Sequence, residues 1–371
     1  MRVCHIGFSQ FPGIGTIAMY EYSRNLARLG IDVHVIAVGK KREDREIDGV
    51  HVSLYESHSL KKRSIYPLLF TRMLLSHLRA FSDSEYDIIH VYHFPGSFFL
   101  PFFLKSKGRK WVFFTTSGPI RGGITSYMGW RLQSFESRFF DHIILRDESH
   151  VSQFRYRGNE ISIVPIGVDL SLFYPGESEI REMYGIDPDE FLFLYVGNLH
   201  PARRVETLIE ALKMVNMQKK AKLMVVGNGG TRRLKQYAEA AGSDHVIFTG
   251  RVPYDDVPSY MRCCSVFISY VPRTPEFDIQ PPLKTVEALA SGLPVIATDT
   301  LGNRRFITHM ENGFLSGDDA VSLKNAMMEL MENDALTEKL AKNAEKSVAD
   351  LDWGAIVKKK LLPTYEQLLS G

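Results

Sequence analysis

The chain reads as an α/β protein of two Rossmann-like domains, each a parallel sheet covered by helices on both faces. Two observations predict this. Short runs rich in Val, Ile, Leu and Phe recur along the 371 residues, with helix-period segments between them. The alternation also occurs twice, on either side of a turn-rich stretch at Phe173-Tyr174-Pro175-Gly176-Glu177. Strands spaced by helices call for parallel pairing, because a crossover long enough to hold a helix returns the chain in the same direction.

In order, Arg2–Phe8 reads as a strand. Ile17–Leu29 reads as a helix with Tyr20, Leu26 and Ala27 inward and Gly30 at its end. Val33–Val38, Asp87–Tyr92, Trp111–Thr116, His142–Leu145 and Ile161–Pro165 are the further short apolar runs of the first half. In the second half the strand candidates are Phe191–Val196, Lys222–Val226, His245–Phe248, Ser265–Ser269 and Val295–Ala297. Helical patterns lie between them at Val205–Met217, Thr231–Ala241, Val257–Arg262 and Lys284–Ala290. The expected organisation is a domain over 1–174, a second over 175–352, and an amphipathic helix over 353–371 that closes the second domain or crosses back onto the first.

Composition is that of a soluble globular protein, with 44% hydrophobic and 24% charged residues. Cys4, Cys263 and Cys264 have no metal-ligand spacing, so no metal is expected, and a reducing, cytoplasmic setting is. The chain starts directly in a strand, so no signal peptide is expected, and no apolar run is long enough to span a bilayer. Charge is uneven. Residues 1–175 hold 22 Lys and Arg against 16 Asp and Glu, and the remainder holds 23 against 27. A basic first half suits an anionic surface or ligand. Aromatic and basic residues do not recur as a nucleic-acid module, so no nucleic-acid partner is expected.

Several segments carry chemistry. Pro282-Leu283-Lys284-Thr285-Val286-Glu287 opens a short helix after a turn. Such a helix start presents unpaired N–H groups and a positive dipole end, which suits a diphosphate, and Glu287 suits ribose hydroxyls. Gly197-Asn198-Leu199-His200-Pro201-Ala202-Arg203-Arg204 follows a strong strand, where ligands bind in parallel α/β sheets, and its arginines can grip phosphate oxygens. Gly227-Asn228-Gly229-Gly230 is a second glycine-rich strand end. Gly13-Ile14-Gly15-Thr16-Ile17-Ala18 fits a dinucleotide pattern. However, the acid expected after the second strand is replaced by Gly39-Lys40-Lys41, which argues against a dehydrogenase. Those glycines read instead as a close backbone approach to a ligand, or as a helix-initiating turn.

Together these blocks resemble the retaining glycosyltransferases of family 4. The match runs through the Gly13/Gly15 loop, Asp87-Ile88-Ile89-His90-Val91, Val164-Pro165-Ile166-Gly167-Val168-Asp169 and Tyr195-Val196-Gly197-Asn198-Leu199. It continues through Thr207–Ala211, Val225–Gly229, Phe248–Val252, Pro282-Leu283-Lys284 with Glu287, Gly292–Ala297, Asn312-Gly313-Phe314 and Trp353. The resemblance implies the GT-B fold, two Rossmann-like domains facing across a cleft. It implies transfer of a sugar from a UDP- or GDP-sugar to a hydroxyl acceptor, in lipid-linked glycan, glycolipid or polysaccharide synthesis. No further cofactor is implied. By position, Arg203 falls on the diphosphate and Glu287 on the ribose, while Pro282, Leu283 and Lys284 form the helix start at the phosphates. Arg251 and Val252 fall at the base, with Gly15 and Gly227 lining the donor.

Three departures stand out. Asn198 replaces a usual Arg, leaving that charge missing or supplied by Arg204. Ile279 replaces a usual Glu, with Glu276 and Asp278 just upstream. The usual active-site His is absent, and Ser117 or His93 is the candidate in its place. Lys61, Lys62, Arg63 and Arg72 flank apolar residues, as a basic helix at an anionic membrane face would, and the stretch Phe98–Leu104 is aromatic. The same patterns also suit helices that simply cover the sheet. Rival readings are a GT-B epimerase or phosphorylase, or a non-catalytic sugar- or lipid-binding scaffold.

Overall fold

Strands dense in Val, Ile and Phe form two sheets, one in each half of the chain. The computed structural model describes residues 1–56, 70–75, 86–104, 109–115, 123–154 and 160–371. These divide into two compact units, Met1–Gly167 with Trp353–Gly371, and Val168–Asp352.

The first unit holds β1 (Arg2–Gln10), β2 (Asp32–Gly39), β3 (Glu43–Ile47), β4 (Val50–Glu56), β5 (Ile88–Tyr92), β6 (Lys110–Thr115), β7 (His142–Leu145) and β8 (Glu160–Ile163). Their order across the sheet is β3-β4-β2-β1-β5-β6-β7-β8. All neighbours pair parallel except β3 and β4. That antiparallel hairpin is not among the strands expected from the sequence: Glu43-Asp44-Arg45-Glu46 has no apolar run, although β4 carries the alternation Val50, Val52, Leu54. Its turn is Asp48-Gly49, both at positive φ (50° and 76°), as a tight two-residue hairpin requires. The charged β3 forms the sheet edge and discourages further pairing.

α1 (Ile17–Arg28) covers one face of this sheet, and α2 (Phe99–Leu104) and α3 (Gly123–Glu136) follow β5 and β6. The C-terminal helix Leu362–Ser370 belongs to this unit through Tyr365, which is fully buried. The Tyr365 hydroxyl lies 3.2 Å from His5 Nε2 and also bonds His90 Nδ1, while His5 Nδ1 lies 2.8 Å from Ser23 Oγ. Burial pushes His5 down to about 3, so it is neutral at physiological pH and serves packing.

The second unit holds β9 (Phe191–Val196), β10 (Ala221–Val226), β11 (Val246–Gly250), β12 (Val266–Ser269), β13 (Val295–Thr298) and β14 (Phe314–Ser316), all parallel, in the order β11-β10-β9-β12-β13-β14. α4 (Glu206–Asn216) buries Leu208, Ile209, Leu212 and Val215, one face of a 3.6-residue repeat. α5 (Thr231–Ala240) and α6 (Leu283–Ala290) follow β10 and precede β13. β9 lies between β10 and β12, so the strand order reverses there. The carboxyl ends of β9 and β12 therefore flank a topological switch point, where open α/β sheets bind ligands.

Candidate functional site

Three loops leave the carboxyl edge of the second sheet and lace together at the switch point. Gly197 N–H donates to Val226 O at 2.9 Å, Leu199 N–H to Asn228 O at 2.8 Å, and Gly227 N–H to Gly250 O at 2.8 Å. The approach is close enough to demand glycine. A Cβ on Gly227, whose φ is 150°, would lie 1.8 Å from the Gly197 carbonyl oxygen, and one on Gly230 would lie 2.0 Å from that of Leu199. Asn198 Oδ1 accepts the His200 N–H at 2.8 Å, and His200 Nδ1 accepts the Ala202 N–H at 3.2 Å. The Asn198 side chain therefore shapes the loop. A short 3₁₀ turn, Pro201–Arg203, follows, and Arg204 ends it at φ 47° with its side chain exposed.

This turn delivers Arg203 over an aromatic floor, its guanidinium carbon 4.2 Å from the Phe277 ring centroid. Lys284, in the first turn of α6, has its Nζ 4.1 Å from the Tyr195 ring centroid and donates to Tyr270 O at 2.7 Å. Neither cation forms an ion pair among the described residues. Burial holds the Lys284 ammonium well below its ordinary pKa, and the nearby Arg203 charge lowers it further. Burial also lowers the Arg203 pKa, against the opposing influence of Tyr195. Two cations close together and partly stripped of water are costly until an anion joins them.

The start of α6 completes the arrangement. Pro282 caps it in an extended conformation, and no side chain bonds its first amides. The turn is fixed from below. The Thr285 hydroxyl donates to Asn303 Oδ1 at 2.7 Å and lies 2.6 Å from Ser269 Oγ, while Asn303 Nδ2 donates to Thr298 O at 2.8 Å. One turn on, Glu287 is only 5% exposed, and its Oε1 accepts the Tyr254 hydroxyl at 2.6 Å. Arg251 is exposed and Val252 partly buried, just beyond the end of β11. Asp278 ties down the segment after β13, its Oδ1 accepting Leu301 N–H at 3.2 Å and its carbonyl Gly302 N–H at 2.7 Å.

The first unit holds the remaining candidates. Gly15 is exposed in a 3₁₀ turn ahead of α1. His93 follows β5, and its Nε2 lies 3.1 Å from Oε2 of buried Glu136. That carboxylate also accepts Gly96 N–H at 2.8 Å and the Ser97 hydroxyl at 3.1 Å, so it orients His93 within a fixed network. Arg72 is exposed. Ser117, Lys61, Lys62 and Arg63 lie outside the described residues. The sequence reading missed Tyr195, Tyr254, Phe277 and the Ser269–Thr285–Asn303 network. The only local signal was their position at or a few residues beyond strand ends, or on a short helix.

Fold and site together define a GT-B glycosyltransferase. Residues 15–172 match the family model described as Glycosyltransferase Family 4, and residues 176–347 match that described as Glycosyl transferases group 1. The chain belongs to the family 4 glycosyltransferases. It is 24% identical over 315 residues to a phosphatidyl-myo-inositol mannosyltransferase of Mycobacterium leprae (strain TN), covering 83% of this chain and 81% of the relative. It is 27% identical over 229 residues to YtcC, named as a glycosyltransferase, of Bacillus subtilis (strain 168), covering 56% of this chain and 54% of that one. The match thus spans about half the length of YtcC. Among solved structures, sucrose-phosphate synthase from Thermosynechococcus elongatus superposes with a TM-score of 0.83 at 20% identity, covering 100% of this chain and 99% of that one. Anabaena Alr3699/HepE in complex with UDP and glucose gives 0.78 at 18% identity, covering 99% of this chain and 100% of that one.

Proposed function

We propose that this chain transfers a sugar from a nucleoside diphosphate-sugar to a hydroxyl acceptor, with retention of configuration and without a metal. The observation that carries the reading is the pair Arg203 and Lys284, two partly buried cations without an ion-pair partner among the described residues, at the switch point of the second sheet. Departure of a nucleoside diphosphate develops negative charge. Fixed cations and the N–H groups of Leu283 and Lys284 stabilise that charge without reorganising. Arg203 and Lys284 hold the diphosphate, Glu287 takes the ribose hydroxyls, and Arg251 and Val252 lie at the base. Gly227 and Asn198 shape the loop that carries Arg203. Retention follows from attack on the same face the leaving phosphate departs from, with no protein nucleophile. His93, oriented by Glu136, is the polar group proposed to take the role of the missing active-site His.

A thermal-shift screen with UDP-, GDP- and ADP-sugars tests the donor assignment, since a bound donor stabilises the fold by mass action. Proton NMR of the product's anomeric centre tests retention. No stabilisation by any nucleotide sugar would sink the reading. Glu287→Gln should weaken nucleoside diphosphate binding by about 1.5–3 kcal/mol, the scale of a hydrogen bond to a charged group. Tyr254→Phe should cost less, because it leaves the carboxylate in place. Wild-type affinity in Glu287→Gln, measured by calorimetry, would return that residue to packing.

The acceptor is proposed to be membrane-associated. Phe102, Phe103, Tyr127, Met128 and Phe135, on α2 and α3, are each between 48% and 64% exposed. Ring contacts run from Phe103 through Phe102 and Phe139 to Phe135, so these aromatics are contiguous. Arg131 and Arg138 line the same groove as Tyr127 and Phe135. A patch this apolar is rare on a surface bathed only by water, and its arginines suit an anionic lipid face. Among the described residues no helix is long and apolar enough to cross a membrane. Arg131→Gln with Arg138→Gln should weaken binding to phosphatidylserine vesicles by about 2 kcal/mol, roughly 1 kcal/mol per charge. Phe102→Ser with Phe103→Ser should weaken it further. Sedimentation unchanged in both pairs would remove this surface from the proposal.

A further inference from the structure

A third cation without an anion stands in the first unit, at the carboxyl ends of β5, β6 and β7. Tyr92 ends β5 and is in register with Phe114 of β6, which is in register with Ile144 of β7. Arg146 directly follows β7, and its guanidinium reaches the Phe114 ring. Its guanidinium carbon is 5.7 Å from the Phe114 ring centroid, and the Tyr92 ring packs on Phe114 at 4.9 Å. Among the described residues Arg146 forms no ion pair, and both Arg146 Nε and the Tyr92 hydroxyl are buried without a hydrogen-bond partner. Tyr22, the other phenol acting on Arg146, is already committed, its hydroxyl donating to Pro165 O at 3.2 Å.

Arg24 of the same unit is treated differently. It is also largely enclosed, and it is paired with Glu21 at 2.8 Å. A guanidinium stays protonated, and burying its donors without an acceptor is unfavourable unless a ligand supplies one. The fork of Arg146 and the phenol O–H of Tyr92 are all donors or can donate. They suit a phosphate or carboxylate, which accepts a bidentate pair and a further bond. The donor diphosphate has its own cations, Arg203 and Lys284, in the second unit. We infer that Arg146, with Tyr92, binds an oxyanion carried by the acceptor, so that the acceptor is a phosphate- or carboxylate-bearing molecule. The word acceptor rests on the proposed transferase reading. The oxyanion site itself does not.

The test uses the full chain with arginine side chains labelled for NMR, the Arg146 Nε–Hε signal being assigned by its loss in Arg146→Lys. Titration with inorganic phosphate, and separately with acetate, should shift that signal saturably. The anion that binds more tightly tells a phosphate-bearing from a carboxylate-bearing acceptor. Arg146→Gln should raise the phosphate dissociation constant about tenfold or more, while leaving binding of the nucleotide sugar that the thermal-shift screen selects unchanged. A signal that ignores both anions would overturn the assignment. So would loss of that nucleotide-sugar binding in Arg146→Gln, which would place Arg146 at the donor. The titration uses the wild-type chain, and the only variant it needs is the charge-conserving Arg146→Lys, for assignment. If none of the UDP-, GDP- and ADP-sugars binds and phosphate still moves Arg146, the donor reading falls and the oxyanion site stands.

Discussion

Arg203→Ala is expected to lower kcat/KM for the donor by about 1.5–3 kcal/mol, roughly ten- to over a hundredfold. Three features that do not depend on a ligand fit Arg203 to the proposed phosphate contact. The 3₁₀ turn Pro201–Arg203 sets its backbone, Phe277 supports its guanidinium at 4.2 Å, and it has no carboxylate partner among the described residues. Removing it leaves Lys284 as the one cation of the pair. Lys284 would also be relieved of Arg203's repulsion, so its lowered pKa should rise. Arg203→Lys should fall between wild type and alanine, because it restores the charge without the planar fork. The losses should appear in kcat as well as in donor affinity, since charge on the leaving diphosphate grows towards the transition state. An Arg203→Ala enzyme with unchanged kcat/KM would show that the cation pair does not face the donor.

Much of the frame was legible because it depends on local rules. Phe191–Val196 can only be a strand buried on both faces, and a loop leaving its carboxyl end falls where parallel sheets bind ligands. That logic leads to Arg203 and to the start of α6 without knowledge of the fold. β3 was missed because it is held by pairing and by Asp48-Gly49, with no apolar pattern, whereas β4 carries the legible alternation Val50, Val52, Leu54 and was passed over. The aromatic floors were missed because Phe277 lies 74 positions from Arg203 and Tyr195 lies 89 from Lys284 in the chain. The His93 partner, Glu136, is likewise distant, 43 residues on. Most of all, a sequence does not show which cations lack an anion. Arg24 and Arg146 look alike as letters. Only the structure shows that Glu21 pairs with the first and that nothing among the described residues pairs with the second.

The glycines make the same point with the largest expected effect on stability. Gly15 and Gly227 sit in motifs that read alike, each a glycine-rich turn between strand and helix. A Cβ on Gly15 would meet only Ser9 side-chain atoms at 3.9 Å, ordinary contact. Gly15→Ala should therefore change stability by no more than about 0.5 kcal/mol. A Cβ on Gly227 would lie 1.8 Å from the Gly197 carbonyl oxygen, and Gly227 sits at φ 150°, where alanine is strained. The clash is with backbone, so no rotamer change relieves it. Either the 227–230 loop or the 197–204 loop must move, giving up the Leu199–Asn228 and Gly227–Gly250 hydrogen bonds. Strain and lost bonds together should cost about 3 kcal/mol or more, lowering Tm by about 6–12 °C for a unit of this size. Because the second loop carries Arg203, nucleoside diphosphate binding should fall even in molecules that remain folded. Calorimetric unfolding of Gly15→Ala and Gly227→Ala side by side checks this. Equal melting temperatures would mean that the interlocked loops are not what holds Arg203 in place.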